Sequence, residues 1–291
     1  MTVSVVTGAN SGIGRATAIH LAAQGHEVYG TVRDPARAGK LQAMAAGAGV
    51  EVRLVTLDVA DDASVREGFD SILKQAGQVD VLVNNAGVGG NSVVEEVTTQ
   101  AMLDELNVNL CGAVRCTQAV LPGMRERRTG AIVNITSVTG RFGAIAQAPY
   151  VASKWALEGL SEELAFELAP FGIRVAIVEP GVTKSAIFAK NVDVPGGTGA
   201  YEMHYRRLFD FYAVGIANAT DPFEVAAVIH EAVTTDSPTL RYPCSFGARE
   251  IIGGRSAMTD EEWVELGSID DDAAYRERFK ELFGLDLTTP G

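Results

Sequence analysis

Tyr150 and Lys154 stand four residues apart in a helical pattern, so both side chains project from one face and can act on one bound molecule. A phenol beside an ammonium is equipment for proton transfer. With an unperturbed pKa of about 10 the phenol is a poor acid–base group at neutral pH, and a neighbouring cation favours its anion. Thirteen residues upstream lies Ser137, just past the apolar run Ala131 to Ile135. A second kind of chemistry stands near the N-terminus, where Thr7-Gly8-Ala9-Asn10-Ser11-Gly12-Ile13-Gly14 follows the apolar run Val3 to Val6. Glycines at positions 8, 12 and 14 let the backbone turn sharply, approach a pyrophosphate and pack a helix on its strand, while the helix N-terminus offers unpaired N–H groups to the anion. That points to a bound dinucleotide. Ordinary strand–helix junctions also use glycine-rich turns, and the three residues between Gly8 and Gly12 depart from the common dinucleotide fingerprint.

The elements that must position these groups read as alternating strands and helices. Val3 to Thr7, Glu27 to Val32, Val50 to Leu57, Val79 to Asn84, Ala131 to Ile135 and Val175 to Glu179 are short apolar runs of the kind buried on both faces of a parallel sheet. Helical patterns fill the gaps: Ser11 to Gln24, ended by Gly25; Asp61 to Ala76; Thr98 to Met124; and Ala148 to Phe171, ended by Gly172. The expected fold class is α/β: a doubly wound, Rossmann-like parallel sheet with helices on both faces, in a single domain spanning 1–291. Ligands of such sheets sit beyond the carboxyl ends of the strands. After the second strand, Val32-Arg33 offers a cation suited to a ribose 2′-phosphate where an acidic residue would bind a 2′-hydroxyl, which favours NADP over NAD; the alternative is a solvated surface charge. After the third, Asp58-Val59 can meet an adenine edge, or Asp58 can serve only its own loop.

The net charge of −13 argues against nucleic acid or an anionic membrane surface as partner. No apolar run is long enough to cross a bilayer and the first strand begins almost at once, so a cytoplasmic protein is expected. Cys111, Cys116 and Cys244 form no CxxC pair and read as buried reduced thiols. His20, His26, His204 and His230 show no ligand or triad spacing, and no metal is expected.

Five motifs in this order resemble the short-chain dehydrogenase/reductase family over roughly the first two thirds of the chain. They are Thr7 to Gly14, Asn84-Asn85-Ala86-Gly87, Asn109-Leu110, Ser137, and Tyr150-x-x-x-Lys154. The resemblance implies that Tyr150 exchanges the proton with a carbonyl or alcohol oxygen and Ser137 hydrogen-bonds that oxygen. It implies that Lys154 holds the nicotinamide ribose and lowers the phenol's pKa, while Asn109 supports a water relay. It also puts Asn10, Ser11 and Ile13 on the pyrophosphate turn, Asn85, Ala86 and Gly87 beside the cofactor, and Ile135 near the nicotinamide. Pro180-Gly181, Thr183 and Ser185 match the family's nicotinamide contact, with serine at 185 where threonine is usual.

Substrate recognition is expected beyond Ser185, in a lid over 186–220 that carries Phe188 and the aromatics Tyr201, Tyr205, Phe209, Phe211 and Tyr212. Those aromatics could equally be core. Phe142 and Gln147, bracketed by Ser137 and Tyr150, are further candidates to line the pocket. A helical extension is expected over 244–291. The reading is an NADP(H)-dependent oxidoreductase that interconverts a hydrophobic ketone or aldehyde with an alcohol. The resemblance further implies a homodimer or homotetramer paired through the two long helices. The alternatives are a dinucleotide-sensing regulatory protein and a sugar-nucleotide epimerase or dehydratase. The first usually lacks the tyrosine or lysine, and the second has a different glycine spacing.

Overall fold

In the computed structural model, which describes residues 1–185 and 197–288, the apolar runs form one parallel sheet of seven strands in the order β3-β2-β1-β4-β5-β6-β7. The strands are β1 (Val3–Val6), β2 (Glu27–Val32), β3 (Arg53–Thr56), β4 (Val81–Asn84), β5 (Gly130–Ile135), β6 (Ile173–Pro180) and β7 (Arg241–Cys244). Every residue of β1 and β4 is buried, because both strands lie inside the sheet with helices over each face. Strand order reverses between β1 and β4, so the crevice where this fold binds ligands opens above Gly8 and Asn85.

The helices are α1 (Gly12–Ala23), α2 (Gly39–Gly47), α3 (Asp62–Ala76), α4 (Thr99–Leu106), α5 (Gly112–Arg127), α6 (Ala148–Leu168), α7 (Glu202–Ala217), α8 (Pro222–Thr234), α9 (Ala248–Ala257), α10 (Asp260–Gly267) and α11 (Asp272–Phe283). Alternate residues of each strand go to opposite cores. Val5, Tyr29, Leu82 and Ile132 meet Phe69 and Ile72 of α3, Val120 and Met124 of α5, and Leu164 and Leu168 of α6. Val6, Val28, Val83 and Val133 meet Ala18 and Ile19 of α1, Leu41 of α2, and Val225 and Ile229 of α8. Among the described residues no helix is long and apolar enough to cross a membrane.

The pattern Thr98 to Met124 is not one helix. α4 passes into a π-helical stretch, Asn107–Cys111, before α5 begins, and the extra residue re-aims the side chains on either side of it. Strand β7 and helices α2 and α8 were not expected. β7 is an edge strand of half-buried residues with a proline inside, so it lacks the apolar run that marks an inner strand. Of the three cysteines only Cys116 is buried, its thiol pushed up to about 12 by burial; Cys244 is half-buried and Cys111, in the π stretch, is exposed.

Residues beyond β7 pack back onto the sheet's functional rim. Ile251, Leu266, Tyr275, Phe279 and Phe283 form one apolar cluster with Val138 and Phe142, directly after Ser137. α7 is tied to this unit by Arg207, which is 2 % exposed. Its Nε donates to Asp272 at 2.9 Å and its guanidinium lies 4.1 Å from the Tyr275 ring centroid. Arg207→Ala is expected to cost about 2 kcal/mol, the worth of a charged hydrogen bond and a packed stem, read as a lower midpoint in urea unfolding.

Candidate active site

The turn after β1 has the shape its glycines predict. Gly8 and Gly12 have φ of +68° and +52°, in the left-handed region. A Cβ at Gly8 would stand 2.8 Å from Ala86 Cα, and one at Gly14 would stand 2.6 Å from the Gly8 carbonyl oxygen and overlap the Asn85 amide. Thr7 Oγ1 accepts from the N–H groups of Asn85 and Ala86 at 2.9 Å each, and Asn85 Nδ2 donates to Thr7 O at 2.9 Å, so the ends of β1 and β4 are one rigid piece. Three observations fit a pyrophosphate here. Ser11, the residue before α1, makes no side-chain cap, so the helix's first N–H groups face outward uncapped. Asn10 Oδ1 is buried without a hydrogen-bond partner among the described residues. The close approach of Ser185 to Gly12, whose Cβ would lie 3.1 Å from Ser185 Cβ, brings the segment after β6 onto the same turn as Ile13.

Arg33 is exposed at the tip of β2 and forms no ion pair among the described residues. Asp34 beside it caps the short turn Pro35–Arg37 through the Ala36 N–H at 3.0 Å. Asp58 is committed to its own loop, accepting from Ala60 N at 3.0 Å, while Val59 is buried under Gly112. Pro180 ends β6; Gly181 N donates to Cys244 O at 2.8 Å, and Thr183 Oγ1 and Ser245 Oγ are 2.8 Å apart. Strand β7 thus fixes the loop that faces the turn.

Tyr150, Lys154, Ser137 and Asn109 converge above β4 and β5. Ser137 opens the short turn Val138–Gly140 and shares a hydrogen bond with the Tyr150 hydroxyl. Lys154 Nζ donates to the carbonyl of Ile135, the last residue of β5, at 2.9 Å and lies 5.6 Å from the Tyr150 ring centroid. Asn109 sits in the π stretch. Its Oδ1 accepts from Val88 N at 2.8 Å, and its Nδ2 donates to Val88 O and to Ser153 Oγ at 2.9 Å each. Gly87 lies against it: a Cβ there would be 3.2 Å from Asn109 Oδ1. Burial pushes the Tyr150 phenol up to about 12, opposed by the Ser137 hydrogen bond and reinforced by the Glu105 carboxylate. Burial pushes Lys154 down to about 8. Desolvation is the largest influence on the phenol here.

On the substrate side, Gln147 Nε2 donates to Tyr212 Oη at 2.7 Å, and Tyr212 Oη donates to Asn91 Oδ1 at 2.8 Å. This buried chain joins α6, α7 and the loop after β4. Phe142 is buried and packs edge-on against Trp263, at 5.9 Å between centroids, within the C-terminal cluster. Phe188 and the first part of the expected lid, 186–196, lie outside the described residues. From 197 the chain is held at the rim: Glu96 accepts from Thr198 N at 2.8 Å and from Tyr205 Oη at 2.7 Å. Sequence reasoning missed Asn91 and Glu105. An asparagine in a glycine-rich loop and an acid on a helix carry no signal of burial. The histidines are less scattered than expected, since the His230 ring contacts both His20 and His26, at 5.7 and 5.9 Å between centroids, across α1 and α8.

A family model described as short chain dehydrogenase matches residues 2–194. The chain is 34 % identical over 271 residues to the uncharacterized oxidoreductase YusZ of Bacillus subtilis, covering 91 % of this chain and 96 % of that protein. It is 37 % identical over 243 residues to 3-ketodihydrosphingosine reductase of Bacteroides thetaiotaomicron, covering 82 % of this chain and 86 % of that protein. Among solved structures, a short-chain dehydrogenase from Streptomyces avermitilis superposes with a TM-score of 0.80 at 36 % identity, covering 92 % of this chain and 98 % of that one. A variant of actinorhodin polyketide ketoreductase with NADPH superposes at 0.72 and 33 % identity, covering 83 % and 94 %. With these matches spanning the nucleotide turn and the Tyr150–Lys154 pair alike, the chain belongs to the short-chain dehydrogenase/reductase family and is an oxidoreductase acting on CH–OH groups.

Proposed function

We propose that the protein uses NADP(H) to interconvert a hydrophobic ketone or aldehyde with its alcohol, Tyr150 serving as general acid and base. The observation that carries this reading is the Tyr150 hydroxyl hydrogen-bonded to Ser137, with Lys154 anchored on Ile135 below the same ring. When bound, the dinucleotide supplies the hydride. Hydride arriving at a carbonyl carbon leaves negative charge on the oxygen, where two preplaced hydroxyls stabilise it most. Tyr150 hands its proton to that oxygen in reduction and takes one back in oxidation. Ser137 hydrogen-bonds the same oxygen. Lys154 holds the nicotinamide ribose, and its charge together with that of an oxidised nicotinamide offsets the desolvation that keeps the phenol protonated. Asn109, whose side chain is taken up by Val88, Glu105 and Ser153, holds the wall along which a water relay reaches Lys154.

The same reading assigns the pyrophosphate to Gly8, Asn10, Ser11, Gly12, Ile13 and Gly14, and the adenine edge to Asp58 and Val59. The nicotinamide half falls to Asn85, Ala86, Gly87 and Ile135, with Pro180, Gly181, Thr183 and Ser185 opposite. Arg33 takes the 2′-phosphate, which the NADPH held by the actinorhodin relative supports. Arg33→Ala is expected to raise the KM for NADPH about 10- to 100-fold, the worth of a charge-assisted hydrogen bond, and to leave that for NADH unchanged. An equal effect on both coenzymes would remove the 2′-phosphate from the reading.

A hydrophobic substrate is supported by the apolar cluster of Tyr205, Phe209, Phe211 and Tyr212 joined to Gln147, and by the 3-ketodihydrosphingosine named for the Bacteroides relative. A homodimer or homotetramer paired through α5 and α6 is supported by Trp155 and Phe166, apolar side chains exposed on α6. The deciding measurement is the initial rate of NADPH and NADH oxidation over a panel of carbonyls with wild-type protein and Tyr150→Phe. Tyrosine-dependent NADPH turnover is expected. NADPH binding without turnover of any panel member would shift the reading to a dinucleotide sensor.

A further inference from the structure

Glu105, on the last turn of α4, is 5 % exposed, an unusual place for a carboxylate that no ion pair within hydrogen-bond distance accounts for among the described residues. Its Oε1 accepts from Asn109 Nδ2 at 3.3 Å. The same Nδ2 reaches Ser153 Oγ at 2.9 Å, and Ser153 Oγ donates to the Tyr150 carbonyl at 2.9 Å. The other oxygen, Oε2, is wedged beneath the loop after β4 and the start of α6: a Cβ at Gly90 would lie 2.7 Å from it and 3.1 Å from Pro149 Cγ. The carboxylate is therefore enclosed by the loop, the π stretch and the turn of α6 that carries both Tyr150 and Lys154.

We propose that Glu105 is a positioning residue of the reaction: an interior carboxylate that braces Asn109 on one side and supplies the counter-charge for the Lys154 ammonium on the other. The inference rests on the reading of Tyr150 and Lys154 as the acid–base pair. The charged and titratable groups around it are few. α6 presents Lys154 and Tyr150, with Glu158 one turn further on acting on Lys154; α7 presents Tyr212; and the loop 88–92 presents none. Burial pushes the Glu105 carboxyl up to about 7, opposed by Lys154 and by the Asn109 hydrogen bond. Burial pushes Lys154 down, opposed by Glu105 and Glu158.

Carbonyl reduction needs a neutral phenol and a charged Lys154. Removing the Glu105 charge lets Lys154 lose its proton at lower pH, so the alkaline limb of kcat/KM moves down. In the wild type the same counter-charge is lost as pH falls through about 7, the region in which Glu105 takes up its proton.

The test is the titration of the Lys154 ¹³Cε resonance in ligand-free, lysine-labelled protein, assigned by its loss in Lys154→Arg and compared among wild type, Glu105→Gln and Glu105→Asp. In Glu105→Gln, which keeps the shape and the hydrogen bond, the midpoint is expected to fall by about one pH unit. Glu105→Asp, which keeps the charge, is expected to restore most of it, and the alkaline limb of kcat/KM should follow in the same order. A midpoint unchanged in Glu105→Gln overturns the proposal, as does an equal shift in Gln and Asp, which would trace to packing. Because the resonance is read without substrate or coenzyme, this failure is separable from a failure of the catalytic reading, which would appear as turnover surviving in Tyr150→Phe.

Discussion

Tyr150→Phe is expected to lower kcat/KM for any carbonyl substrate about 10³-fold while changing dinucleotide affinity less than about threefold. The substitution deletes one oxygen. In the proposed mechanism that oxygen is the proton donor to the developing alkoxide; it is the partner of Ser137, whereas the ring and Lys154, to which the proposal assigns the ribose, stay in place. A parallel loss of dinucleotide affinity, measured by protein fluorescence quenching, would mean that the phenol's role is in binding. A variant that kept turnover would move the proton transfer to another group, and the assignment of Ser137 would go with it.

The second large effect lies in the nucleotide turn. Gly8→Val is expected to destabilise the protein by about 3 kcal/mol and to abolish dinucleotide binding. Two costs combine there. The φ of +68° is one a β-branched residue rarely adopts, and the new Cβ would be driven to within 2.8 Å of a backbone atom, Ala86 Cα, that cannot swing away. Gly25 separates the two. It has a φ of +86° but nothing within 4 Å of its Cβ position, so Gly25→Ala carries the backbone cost alone, about 1 kcal/mol. Urea unfolding of both variants gives the difference, and equal losses would show that the approach of Ala86 contributes nothing.

Five of the strands were legible because each is a short, largely buried apolar run inside the sheet, and β3, an edge strand with Arg53 and Thr56 exposed, was legible from the longer apolar pattern Val50 to Leu57 around it. The seventh was not. Arg241-Tyr242-Pro243-Cys244 pairs with β6 along one edge only, so nothing requires it to be apolar. The site divides along the same line. Gly8, Gly12, Gly14, Ser137, Tyr150 and Lys154 are marked by residue type at strand ends and by helical spacing, which chain-local geometry translates into position. Glu105 is marked by neither. On a helix an acid reads as a solvated face, and its burial comes from Gly90 and Pro149, which sit 15 residues before it and 44 after it in the chain. The long helical pattern 98–124 also concealed its own interruption, since a π turn adds a residue without altering composition. The meeting of His230 with His20 and His26 is likewise a property of the packing of α8 on α1.

The joint between β1 and β4 sets the order in which this molecule comes into being. Thr7 reaches Val83, Asn85 and Ala86 through hydrogen bonds that span 76 to 79 residues of chain. A ribosome that has delivered only α1 and β2 has made the glycine turn as sequence but not as a receptor, because the strand that clamps it has not emerged. The turn reaches its folded shape only once that long-range pairing has closed. In this chain the glycine turn is completed by a segment more than 70 residues downstream of it.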